Sequence, residues 1–63
     1  MVNYENWKRY INDLEKLENL IEDMIVAHEE VMSDKVYQAL DDALIAVQEE
    51  LDVAKENKDN SLD

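Results

Sequence analysis

Glycine, proline, cysteine and phenylalanine are all missing from this chain of 63 residues. Without glycine or proline the chain lacks the usual residues for tight turns, left-handed backbone and helix interruption. Without cysteine, disulfides and thiolate metal sites are excluded, and the redox compartment is left open, compatible with the cytosol. Long apolar runs are absent too. Stretches such as Met24–Ala27 fall far short of the ~20 residues that span a bilayer. The first ten residues, MVNYENWKRY, show no basic stretch followed by an apolar one, so no export signal is expected and a cytoplasmic location is the natural reading.

Bases are scarce: six Lys and Arg stand against 17 Asp and Glu, for a formal charge of −11. Nucleic-acid affinity comes largely from cations that neutralise phosphates, so direct nucleic-acid binding is not expected. Anionic membrane surfaces are disfavoured for the same reason. A basic protein is the partner that this charge favours, through steering and rim complementarity. High net charge also keeps a protein soluble.

What the chain does have is helical periodicity. A chain of this size forms one domain, and its single core rarely supplies more than ~3–5 kcal/mol. Asn3 is a good N-cap, with Val2 before it and Trp7 after it as a possible hydrophobic staple. Tyr4, Trp7, Ile11, Leu14, Ile21, Ile25, His28 and Met32 then follow steps of three and four, with Glu18 occupying one place in the stripe. Tyr37, Leu40, Leu44, Val47, Leu51 and Ala54 form a second seam. The two stripes are out of phase, so one continuous helix would carry its apolar face abruptly to another side near residue 33. A break at MSDK removes the conflict, with Ser33 as N-cap and Asp34 in the first turn. The spacing predicts helix 1 over residues 3–32, a turn near 33, helix 2 over 34–57 and a frayed tail over 58–63. The fold class is all-α, an antiparallel two-helix hairpin in a single domain.

One stripe per helix satisfies a hairpin, yet helix 1 carries more. Leu20, Ile21, Met24, Ile25, Val26 and Ala27 crowd one stretch, and they are the candidates for self-association. Helix 2 adds Ile45, Ala46 and Val53 outside its seam. The simplest closure is a homodimer of two hairpins forming a four-helix bundle. In shape this resembles the small plasmid-borne RNA-binding hairpins that dimerise in this way. Their binding face is basic, whereas the helix faces here are acidic.

The charges are segregated. Residues 17–34 contain no Lys or Arg but include Glu18, Glu22 and Asp23; residues 36–54 contain none either, and include Asp41, Asp42, Glu49 and Asp52. Like charges at helical spacing cost a few tenths of a kcal/mol each, so uncompensated acid hints at use. Asp41, Asp42, Ile45, Glu49 and Asp52, with Glu18, Glu22 and Asp23, are the candidate partner-binding residues. Rigid carboxylates would stand where a basic protein expects phosphates, and Ile45 would be an apolar anchor. The function expected is inhibition or modulation of a basic, nucleic-acid-binding type of protein, as small acidic inhibitors from phages and mobile elements do. The alternative is a structural module whose business is self-association.

No motif carries catalysis or a cofactor. HEEVM departs from the H-E-x-x-H zinc pattern because residue 32 is Met, and Glu-x-x-His is missing because residue 25 is Ile. His28 is expected as a packed or interfacial side chain. Tyr4, Trp7 and Tyr10 are expected to plug the open end of the hairpin, with Arg9 against a ring. Neither serine has a nearby base in the pattern, and the chain is too short for a cleft, so an enzyme is not expected.

Overall fold

A computed structural model describes residues 3–61, so the proposed staple between Val2 and Trp7 lies outside the described residues. The chain forms α1 (Tyr4–His28) and α2 (Asp34–Asn60), packed against each other, with no strand among the described residues. The hairpin measures 48 × 15 × 15 Å. Tyr10, early in α1, meets Glu50, late in α2, so the helices run antiparallel.

Both helix starts are fixed by side-chain caps. The Asn3 carboxamide oxygen accepts the Asn6 N–H at 3.0 Å, and the Ser33 hydroxyl oxygen accepts the Val36 N–H at 3.2 Å. Each cap residue is extended, as the N-cap position requires. The helix ends depart from the periodicity. α1 stops at His28, not at residue 32. The N–H groups of Val31 and Met32 both turn onto the His28 carbonyl, at 3.0 and 2.9 Å. The chain has to reverse before Ser33, and Glu29 and Glu30 sit at the negative end of the helix dipole, where acids are unfavourable. The connection is therefore residues 29–33.

α2 in turn runs past residue 57 to Asn60. There the helix is held by the Ser61 hydroxyl, which donates to the Asn57 carbonyl at 2.8 Å, and by the Ser61 N–H, which donates to the Lys58 carbonyl at 3.0 Å. Lys58 also places its ammonium 6.0 Å from the centre of the Tyr4 ring. The cation–π contact described at the open end is thus made by Lys58, where the sequence offered Arg9. Antiparallel geometry lays the end of α2 across the start of α1.

The core is thin. It consists of Ile11, Leu14 and Ile21 from α1 and Val47, Leu51 and Ala54 from α2, with Trp7, Ile25, Leu40, Ala43 and Leu44 packed around them. Among the described residues only Ala54 is wholly shielded from solvent. Two cylinders touching along a line cannot surround a larger side chain.

Candidate interaction surfaces

The hairpin exposes a second apolar seam. Trp7, Tyr10, Leu14, Leu17, Ile21, Met24 and His28 alternate steps of three and four along α1. Leu14 and Ile21 are buried by α2 and Trp7 partly so, whereas Tyr10, Leu17, Met24 and His28 remain exposed. The seam therefore points between α2 and open solvent, as it does in a helix that packs against two neighbours.

Contacts at both ends fix which side of the hairpin this is. The Tyr10 hydroxyl donates to a Glu50 carboxylate oxygen at 2.6 Å. Residues seven apart stack along a helix, so Tyr10, Leu17 and Met24 share a side with Glu50, Ala43 and Val36. At the turn end, Met24, His28, Val31, Met32, Ser33 and Val36 line one shallow, almost wholly apolar depression. Leu20 and Ala27 on α1 and Ala39, Ala46 and Val53 on α2 lie in the next rows outward, all exposed. The result is one broad apolar side built from both helices.

The six self-association candidates divide. Ile21, 6% exposed, belongs to the hairpin's own core, and Ile25 packs against that core. Leu20, 64% exposed, lies on the open apolar side with Met24 and Ala27. Val26, 78% exposed, falls in the row of Asn12 and Asn19 on the other edge of α1. Leu17, Val36, Ala43, Ala46 and Val53 complete the side. For Leu17 the signal is the alternate three-and-four seam through Tyr10, Leu17 and Met24, which runs beside the stripe that the hairpin buries.

The acidic candidates divide as well. On α2, Asp42, Ile45, Glu49 and Asp52 are exposed along the outer surface, and Asp41 is half-buried. The Gln38 carboxamide donates to Asp42 at 3.0 Å, one turn away. On α1, Glu18 is half-buried at the helix–helix seam, while Glu22 and Asp23 are exposed on the edge and outer surface of that helix. Asp42, Ile45, Glu49 and Asp52 share the outer surface of α2, whereas Asp41 and Glu18 are half-buried and Glu22 and Asp23 lie on α1, so these eight residues do not form one surface. At the open end, Lys8, Arg9 and Lys58 share a shallow groove with Glu5, Asn12 and Glu15, which keeps that end close to neutral.

Trp7 and Tyr10 stack at 6.3 Å between ring centres, tilted by 53°. The Tyr10 phenol is held above its ordinary value near 10, first by its hydrogen bond to Glu50, then by partial desolvation and the Glu50 charge. Its protonated form is the one the fold uses. Among the described residues no group of three or more His, Asp or Glu side chains is arranged to hold a metal ion. None of the described helices is long and apolar enough to cross a membrane. Comparison with protein-family models, with curated proteins and with solved structures finds no match.

Proposed function

We propose that this protein is an acidic protein-binding module that works as a homodimer. Two hairpins close their apolar sides into a four-helix bundle, and the carboxylates left outside occlude a basic protein surface of the kind that otherwise holds nucleic acid. The observation that carries this reading is the separation of two chemistries. The apolar side contains few ionisable groups, chiefly Asp13, His28 and Glu50, whereas Asp42, Glu49 and Asp52 line the outside of α2. Pairing through the first surface leaves Ile45 and Asp52 facing solvent, with Asp42 and Glu49 at its rim.

Sedimentation equilibrium across a concentration series tests the dimer. The partner surface is tested by immobilising the protein and passing a nuclease-treated lysate over it, beside the variant Asp42→Asn/Glu49→Gln/Asp52→Asn, whose mass is checked in parallel. Basic proteins retained by the first and lost from the second, and released by DNA, support occlusion. Identical retention on both would sink it. The apolar side by itself favours a second reading, a self-assembly module, which predicts a stable dimer and no selective retention.

A further inference from the structure

We infer that the second copy docks with α1 of each hairpin over α2 of the other and both turns at the same end, related by a twofold axis parallel to the helices. This rests on the dimer reading above and adds its geometry. The whole side of the hairpin has an outline of 48 by 15 Å, which sets a ceiling of roughly 700 Å² per copy, near the ~800 Å² per partner of a stable complex. The area therefore suits a whole second hairpin better than a short peptide.

Orientation follows first from side-chain size. The α1 half of the face carries Leu17, Leu20 and Met24, and the α2 half carries Ala39, Ala43 and Ala46. Tyr10 is level with Glu50, so Leu17 is level with Ala43 and Met24 with Val36. With the axis parallel to the helices, these levels are kept between copies. Large residues of α1 then meet small residues of α2 along the bundle, which fills space evenly. With the axis across the helices, α1 lies over α1 and α2 over α2. One half of the interface is then crowded and the other underfilled.

The rims give an independent argument. Arg9, Lys16 and Asp23 are exposed along the outer row of α1, and Lys35, Asp42, Glu49 and Glu56 along that of α2. In the parallel-axis arrangement, Arg9 of one copy falls between the levels of Glu49 and Glu56 of the other. Lys16 falls between Asp42 and Glu49, and Asp23 comes beside Lys35. In the crossed arrangement, Asp42 and Glu49 meet the same two carboxylates of the second copy, a like-charge contact. The rim pairing uses Asp42 and Glu49 and leaves Ile45 and Asp52, one row further out, for a partner.

The test combines mass with distance. Glu30→Cys, in the exposed connection, carries a spin label, and pulsed electron paramagnetic resonance is recorded on material whose mass is measured by sedimentation. A dimer with a label separation close to the 15 Å width of one hairpin supports the arrangement. A dimer with a separation approaching the 48 Å length overturns it while leaving the dimer intact. A monomer overturns both. The charge pairing has its own check: Lys16→Glu weakens dimerisation several-fold, and Glu49→Lys in the same chain restores it. Failure of that rescue removes the rim argument, because the two residues lie on opposite outer surfaces of one hairpin and have no contact within it to explain a rescue.

Discussion

Tyr10 shows what a single residue contributes beyond its place in a pattern. Its ring serves the open end of the hairpin beside Trp7, and its hydroxyl fastens the exposed side through Glu50. A phenol that donates to a carboxylate resists losing its proton. The contact therefore contributes fully below the ordinary phenol value near 10 and is lost as pH rises through the elevated value in the fold. Ultraviolet titration should show one tyrosine ionising late, and Glu50→Gln should bring it back down; a titration unchanged by Glu50→Gln would remove the bond. Ile21 and Val26 form the other instructive pair. Both stand in one apolar stretch of the sequence, and composition gives them equal weight. Ile21 is 6% exposed and Val26 is 78% exposed. Ile21→Ala should cost about 2–5 kcal/mol, toward the lower end because the core is thin and can relax. Val26→Ala should stay within about 0.5 kcal/mol. Urea denaturation of the two variants, at equal protein concentration, decides it.

At the scale of the helix, the legible features were those set by side-chain chemistry acting locally. The out-of-phase stripes placed the break before Asp34, and Asn3 and Ser33 occupy the two N-caps. Ser33→Ala should cost about 1 kcal/mol, because the Val36 N–H loses its partner; a thermal midpoint unchanged in this variant would show that water replaces the cap without loss. The helix ends were less legible for a physical reason. Apolar periodicity continues through Val31 and Met32, but chain reversal and the acids Glu29 and Glu30 stop α1 at His28. Periodicity fades after Ala54, but Ser61 and Lys58 carry α2 on to Asn60. The sides were legible only in part. The buried stripe already holds Ile21 and leaves out Leu20 and Val26, yet separating Leu20, on the open apolar side, from Val26, on the other edge, needs the direction from α1 to α2. That direction is a tertiary fact, fixed by the Tyr10–Glu50 contact.

On the scale of the whole molecule, charge and apolar area oppose each other. Each hairpin carries a formal charge of −11 along a length of 48 Å. The Debye length is ~30 Å at 0.01 M salt and ~10 Å at 0.1 M. In dilute salt most of one copy's charge is therefore felt by the other, whereas near physiological salt only adjacent groups interact. Pairing of the apolar sides should tighten as salt rises, because repulsion between two net charges of one sign outweighs the few rim pairs between Arg9, Lys16, Lys35 and their acids. In the proposed arrangement both turns share one end, and Glu29, Glu30 and Asp34 from both copies add to that trend. Binding of a basic partner to the outside of α2 should move the other way and weaken with salt, because there the attraction itself is screened. The two proposed activities can therefore be separated in one sample without mutation. Sedimentation should show dimer increasing with salt while retention of a basic protein decreases. Leu20→Lys then provides the control: it places a cation on the apolar side, should shift the mass toward monomer at every salt concentration, and leaves the acids of α2 unchanged. If retention survives in that monomer, the acidic surface acts alone and the bundle serves only to display it twice. If retention falls with the dimer, the partner reads two copies together, and the tighter binding of the pair comes from the higher effective concentration of the second site.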